Sequence, residues 1–335
     1  MENKQKIVIT GAAGFLGGRV AKYMASHYSN YQIVATSRRS SRAAELENTG
    51  CSFLAGDLTN PHFCEQLTQN AEIVVHCAAL SAPYGDYETF YQSNYVATES
   101  LLSACLKNGV KKFIFISTPS IYMNFSSRLK VKESDPLPST FVNHYASTKL
   151  MAEKYVLNAN GKGIQTIALR PRAIIGAEDV VIFPRVLAAY HEGKLKIIGK
   201  GDNYCDFTCA RNVIEAIICS INAQPQAYGE AYNITDGQSL LFWEALKYAL
   251  TSLNLSPPTK KIPKAVAMFA ANLAELSAKI FKHKKEPTLT RYGICILSDS
   301  MTLDISKAKK NLGYQPVMNT FDGINEYIQW YKTNK

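Results

Sequence analysis

Apolar positions fall in short runs through the first half of the chain. Ile7-Val8-Ile9 is the first, and further runs follow at 31–37, 51–55, 72–76, 112–117 and 165–169. Longer stretches with a helical repeat separate them, notably 89–107 and 145–158. Apolar strands that alternate with helices predict a parallel sheet covered on both faces. Beyond 169 the pattern loosens. Helices are expected over 183–192, 212–222 and 241–254, and strands over 195–199 and 230–235; Pro257-Pro258 then breaks the chain before an apolar helix from Pro263. Residues 1–175 read as one α/β domain, and 176–335 as a smaller part interleaved with the last sheet elements.

The first strand runs directly into glycines, in Thr10-Gly11-Ala-Ala13-Gly14-Phe15-Leu16-Gly17, and a helical pattern follows. Strand, glycine turn and helix in that order are the setting of a dinucleotide site. Gly11 allows the tight turn, Gly14 lets a pyrophosphate approach backbone, and Gly17 lets helix pack on strand. The helix start offers unpaired N–H groups and a positive dipole end to the phosphates. Gly11, Ala13, Gly14, Phe15, Leu16 and Gly17 are therefore the expected cofactor cradle. The fold class this defines is a Rossmann-type doubly wound parallel sheet with a smaller C-terminal substrate-binding part.

Ligands of such sheets bind beyond the carboxyl ends of the strands. Strand two ends in Ser37-Arg38-Arg39. An acid there would hold a ribose 2′-hydroxyl, whereas an arginine accommodates a 2′-phosphate. NADP(H) is accordingly the preferred cofactor, with Arg38 on the phosphate and NAD(H) as the alternative. Asp57, followed by Leu58, can accept from the adenine amine, although Asp57 could equally cap the helix near Pro61. Ala78 and Ala79 leave room for the cofactor backbone, and His76 reads as a packed strand-end residue.

Strand five ends in Ser117-Thr118-Pro-Ser120, and His144-Tyr145-Ala-Ser-Thr-Lys149 opens a later helix. Tyr145 and Lys149, at i and i+4, share a helix face. An ammonium beside a phenol, aided by an oxidised nicotinamide, is expected to pull the phenol below its ordinary pKa of about 10. The phenol then becomes a general acid/base that exchanges a proton with a substrate oxygen. Thr118 is the expected holder of that oxygen, with Ser117 and Ser120 as fallbacks.

Composition narrows the picture further. Hydrophobic residues make up 47% of the 335, ample for a core, and the net charge is +10. The positive charge sits in small clusters, Arg38/Arg39/Arg42, Lys260/Lys261/Lys264, Lys282/Lys284/Lys285 and Lys307/Lys309/Lys310, with no nucleic-acid module among them. The eight cysteines include no C-x-x-C pair, so buried thiols in a reducing cytoplasm are expected rather than disulfides or a metal site. Residues 1–6 lack the charged-then-apolar order of a secretory signal. The apolar stretch 265–281 is too short and too polar to span a bilayer.

Nearly the whole chain resembles the extended short-chain dehydrogenases/reductases. The matching pieces are the glycine turn, Gly56-Asp57-Leu58, His76-Cys-Ala-Ala79, Asn94-Tyr-Val-Ala-Thr98, Ser117-Thr-Pro-Ser-Ile121 and Tyr145-Ala-Ser-Thr-Lys149. Further pieces, Leu169-Arg-Pro-Arg-Ala-Ile-Ile-Gly176, Ile198-Gly-Lys-Gly-Asp202, Glu286-Pro-Thr-Leu-Thr-Arg291 and Leu312-Gly-Tyr-Gln-Pro316, complete the match. The likeness is to the branch of 3β-hydroxysteroid dehydrogenases, sterol-4-carboxylate 3-dehydrogenases and 2-alkyl-3-oxoalkanoate reductases. It implies catalytic positions at Thr118, Tyr145 and Lys149, with Lys149 also on the nicotinamide ribose. Asn94 would stand near the active site, and Pro171 to Ala173 would line the carboxamide. Many relatives carry an acid at the end of strand two, where this chain has Ser37-Arg38.

The expected activity is hydride transfer between a secondary alcohol and a ketone on an apolar substrate, a 3β-hydroxysteroid or a 3-oxoacyl chain. A nucleotide-sugar epimerase or dehydratase, or a non-catalytic NADP-sensing protein, are the alternatives. The helix from Pro263, with Val266, Phe269, Leu273, Leu276 and Phe281, is expected to pack over the substrate cleft. The other reading of 263–285 is peripheral membrane contact with Lys282 to Lys285 as its basic end. Relatives are commonly dimers, which makes a homodimer a further expectation.

Overall fold

The structure, a computed structural model, describes residues 4–281, 287 and 289–334. Lys282, Lys284, Lys285 and two residues of the Glu286–Arg291 motif, Glu286 and Thr288, lie outside the described residues.

Seven strands build the main sheet: β1 (Gln5–Thr10), β2 (Tyr31–Ser37), β3 (Ser52–Ala55), β4 (Ala71–His76), β5 (Lys112–Ile116), β6 (Gln165–Pro171) and β7 (Glu230–Ile234). Their spatial order is β7-β6-β5-β4-β1-β2-β3, with every pairing parallel. The order reverses between β1 and β4, and the crevice beyond their carboxyl ends is where such sheets bind ligands.

Successive side chains of each strand point to opposite faces. Ile7, Ile9, Ile33, Ile73, Ile114 and Ile167 enter one core, beneath helices α1 (Phe15–His27) and α4 (Ala210–Ile221). Val8, Val34, Val74, Phe113, Phe115 and Ala168 enter the other, beneath α2 (Ala97–Lys107) and α3 (His144–Asn158). Both faces are dry, which is why the strands are apolar throughout rather than alternating.

A smaller four-stranded sheet joins residues 239–241, 204–206, 301–303 and 128–131. The last of these comes from the N-terminal half and pairs with Met301–Leu303. Three helices of the C-terminal half are used below: α5 (Phe242–Ser252), α6 (Lys264–Ile280) and α7 (Arg291–Ser298).

Two expectations change. The stretch 89–107 is not one helix: Tyr87–Phe90 leads into a π-helical turn, Tyr91–Val96, before α2. The helix from Pro263 does not pack its large apolar residues on the cleft either. Its alanines, Ala267, Ala271 and Ala278, are buried, while Val266, Phe269, Leu273, Leu276 and Phe281 are exposed. Small residues let α6 approach α7 and the strand at Ile197–Ile198 closely, and the large ones are left facing outward.

Candidate active site

The glycine turn is shaped by close backbone packing. Gly11 has φ +71°, a left-handed conformation suited to glycine. The Gly14 N–H donates to the Gly11 carbonyl at 2.9 Å. A Cβ on Gly11 would lie 2.8 Å from the Ala78 backbone, and one on Gly17 would lie 2.4 Å from the Gly11 carbonyl oxygen. No side chain caps α1, so its first N–H groups face the crevice as donors for an anion. These features fit a dinucleotide pyrophosphate: a cradle that any Cβ would fill, at a helix start with no acid in its first turn. Ala13 and Leu16 are half-buried beside it, and Phe15 is buried.

Behind the turn, Thr10, His76 and Thr98 form a buried chain. Thr10 Oγ1 is 2.7 Å from His76 Nδ1 and accepts from Ala78 N at 3.1 Å, and His76 Nε2 is 3.0 Å from Thr98 Oγ1. Burial lowers the imidazole to about 3, so it is neutral at physiological pH and acts as a strut. At the end of β2, Arg38 and Arg39 are exposed. Arg42 lies over the turn instead, paired with Glu45 at 2.7 Å and with Glu178 at 2.5 Å, and its Nη1 is 3.4 Å from the Gly14 carbonyl. Asp57 is exposed and accepts from Thr59 N and Oγ1, both at 2.9 Å; Asn60, not Asp57, caps the next helix. Leu58 is buried, Ala78 half-buried and Ala79 exposed.

The candidate catalytic side chains come from the end of β5 and from α3. Asn143 caps α3 by accepting from Ala146 N at 2.9 Å, which starts the helix where Tyr145 and Lys149 stand one turn apart. Thr118 is buried at the end of β5, where its hydroxyl accepts from Ser120 N at 3.2 Å and donates to Ser120 Oγ at 3.1 Å. Tyr145 is half-buried overall, but its phenol end is enclosed. Burial pushes the phenol up to about 12, while the neighbouring hydroxyls of Thr118 and Ser81 pull the other way. The direction is opposite to the fall expected from the ammonium. Lys149 Nζ instead donates to the Ile116 carbonyl at 2.6 Å and stands 3.9 Å from the Phe115 ring centroid. Burial brings Lys149 itself down to about 7, opposed by the Glu153 carboxylate one turn further along α3.

Asn94 is buried rather than on a helix surface. Its amide accepts from Leu80 N at 2.7 Å and donates to Leu80 O and Thr148 Oγ1, each at 3.2 Å, tying the segment after β4 to α3. Ser117 Oγ is buried without a partner among the described residues. Pro171 ends β6, and Ala173 (φ +43°) accepts from Thr208 N at 3.2 Å. Arg172 between them is buried beside the Cys205 thiol and the Asp206 carboxylate.

Two residues outside the sequence motifs reach the same spot. Ser81 lies two residues past Ala79, and Tyr292, at the start of α7, places its hydroxyl 3.0 Å from Ser120 Oγ. Tyr292 directly follows the motif that ends at Arg291, so the motif marked its position without naming it. Tyr292→Phe is expected to lower turnover roughly two- to tenfold, the worth of one hydrogen bond, with an unchanged melting temperature. Steady-state kinetics beside a thermal melt would test this.

A parallel sheet with a glycine cradle at its switch point and a Thr/Tyr/Lys set at the end of β5 defines a dinucleotide-binding oxidoreductase fold and site. Residues 7–235 match the NAD dependent epimerase/dehydratase family. The 2-alkyl-3-oxoalkanoate reductase of Shewanella oneidensis is 31% identical over 329 residues, covering 94% of this chain and 84% of the relative. A 3beta-hydroxysteroid-dehydrogenase/decarboxylase of Arabidopsis thaliana is 32% identical over 98% of this chain and 80% of the relative. The sterol-4-alpha-carboxylate 3-dehydrogenase of Mus musculus is 27% identical over 97% and 90%. Among solved structures, UDP-glucuronic acid 4-epimerase from Bacillus cereus in complex with NAD shares the fold, with a TM-score of 0.77 at 22% identity over 98% of this chain and 99% of that one. The chain belongs to the NAD dependent epimerase/dehydratase family, as an extended short-chain dehydrogenase/reductase.

Proposed function

We propose that this chain is an NADP(H)-preferring oxidoreductase that interconverts a secondary alcohol and a ketone on an apolar substrate. The convergence of the Tyr145 phenol and the Thr118 hydroxyl at the end of β5, with Lys149 buried one helical turn away, carries the reading. When bound, the nicotinamide cofactor supplies or accepts the hydride. The glycine turn, the Ala78 backbone, Lys149 and the Pro171–Ala173 segment would hold it. Thr118 orients the substrate oxygen, and Tyr145 Oη passes a proton to it or takes one from it. Relatives named as reductases of 2-alkyl-3-oxoalkanoates and dehydrogenases of 3β-hydroxysteroids support a ring-like or acyl-chain substrate. The paired test is NADH and NADPH turnover over hydroxysteroids, 3-oxoacids, short ketones and a UDP-sugar. Turnover of the UDP-sugar alone would overturn the reading.

The 2′-phosphate preference rests on Arg38, exposed where an acid would select NAD. Arg38→Glu should raise KM for NADPH by roughly tenfold or more, because a charge-assisted hydrogen bond gives way to repulsion between two anions. The KM for NADH should stay nearly unchanged. Equal loss on both cofactors would remove the assignment.

A further inference from the structure

We infer that Arg172 determines specificity in the candidate active site: its guanidinium takes an anionic group, a carboxylate, that the substrate carries beside its reacting carbon. The inference rests on the proposed oxidoreductase reading and narrows it, because neutral alcohols and ketones become poor substrates.

Two arginines flank Pro171, and the fold treats them differently. Arg170, 6% exposed, is paired with Glu153 and bonded to the Tyr122 hydroxyl. Arg172 is as deeply buried, at 5%, yet no carboxylate among the described residues is paired with it, and its Nε is enclosed without a hydrogen-bond partner. The Cys205 thiol beside it is a weak acceptor, and burial pushes that thiol up, so it stays neutral. The nearby Asp206 is engaged elsewhere: Oδ1 accepts from Ser239 Oγ at 2.5 Å and Oδ2 from Leu303 N at 2.6 Å. A guanidinium keeps its charge in a protein, and a buried charge with no bonded anion is destabilising. Such a departure is expected where a ligand supplies the partner.

The position suits a substrate group. Arg172 N donates to the Ile234 carbonyl at 3.1 Å, so the β6–β7 ladder runs one residue past Pro171. Ala168 enters the core beneath α3 and Arg170 bonds Glu153 of α3, and strand alternation sends Arg172 to the same side. Tyr145 and Lys149 belong to that helix. The small sheet closes this side, since Met301 and Leu303 share a cluster with Ala146 and Leu150 of α3, and Cys205 pairs with Met301. Arg172 thus lies between the carboxyl edge of the main sheet and the small sheet. Ile116 is paired with Leu169, which puts Thr118 and Arg172 two and three residues past one rung of adjoining strands. Such strands run about 4.8 Å apart.

An acid with its hydroxyl or oxo group on the third carbon has its carboxylate two bonds from the reacting carbon. The oxygen at Thr118 and the carboxylate at Arg172 are then bound side by side, and a planar guanidinium can hold both carboxylate oxygens. A nucleotide-sugar diphosphate would bring two charges to this single guanidinium.

The test compares 3-hydroxybutyrate and 3-hydroxydecanoate, each with its methyl ester, in oxidation and in calorimetric titration without cofactor. In at least one pair the wild type is expected to favour the acid by roughly tenfold or more, the worth of a charge-assisted pair. Arg172→Gln should bring the acid-to-ester ratio near one, and Arg172→Lys should keep part of it, since the charge remains and the fork is lost. The ratio compares two ligands of one protein, so general damage to the fold cancels, and the wild-type comparison stands even where Arg172→Gln fails to fold. No preference for the acid in either pair, or a ratio that Arg172→Gln leaves unchanged, would overturn the inference. So would tight binding of a UDP-sugar that Arg172→Gln abolishes. Selective binding of an acid that is never oxidised would leave Arg172 as an anion receptor and remove the oxidoreductase reading instead.

Discussion

Tyr145→Phe is expected to lower kcat by about 10^2 to 10^4, the usual worth of a positioned general acid/base. The substitution removes one oxygen and keeps the ring that packs 6.5 Å from Phe90, centroid to centroid. Folding and cofactor affinity should therefore stay close to wild type. Turnover near normal on an accepted substrate would end the proton-transfer assignment. The direction of the pKa shift adds a second readout. Burial holds the phenol near 12, so it carries its proton throughout the neutral range. Ketone reduction, which needs a donor, should not be limited by the phenol there, and alcohol oxidation, which needs the phenolate, should climb as pH rises. A pH–rate profile in each direction would check this sign.

Glu153→Ala should cost about 3 to 5 kcal/mol of stability, the penalty for leaving a buried charge without its partner. Glu153 and Arg170 are 1% and 6% exposed, and Glu153 Oε2 accepts from Arg170 Nε at 2.8 Å. Arg170 also donates to the Tyr122 hydroxyl, which donates to Asn233 Oδ1 at 3.0 Å. One carboxylate thus fastens α3 to β6 and, through Tyr122, to β7. Glu153 also supports the charge on Lys149, so the variant should lose activity along with stability. Urea unfolding would give the first number. Replacing Glu153 and Arg170 together by methionine should recover much of it, because the buried charge goes with its partner. A single-variant loss well under 1 kcal/mol would show that the pair bears little of the fold.

Much of this architecture is legible in the chain itself. The Ile7-Val8-Ile9 run reads as a strand because both of its faces are buried, and each residue does enter one core or the other. The glycine turn is legible for a similar reason: at Gly11 and Gly17 backbone occupies the space of a side chain, so few residue types are tolerated. The π-helical turn at Tyr91–Val96 is not, since one extra residue per turn hardly disturbs an apolar repeat. It nonetheless turns Asn94 inward to Leu80 and Thr148. Tyr292 and Ser81 escape because only tertiary packing brings them to Ser120 and Tyr145. The behaviour of the phenol also depends on packing: sequence spacing gives the nearness of Lys149, but not that its ammonium turns to Ile116. On α6 the amphipathic pattern is visible, but it points to the wrong packing side, because alanine rather than phenylalanine fills the contact.

Residues 128–131, which cross from the N-terminal half into the small sheet, have a mechanical consequence. Any swing of the small sheet drags that strand, and the slack between it and β5 is the stretch 117–127, which includes Thr118. A displacement of the C-terminal half would thereby reach the segment that carries Thr118. Severing the polypeptide at 175 would leave this strand without its neighbour and β6 without β7.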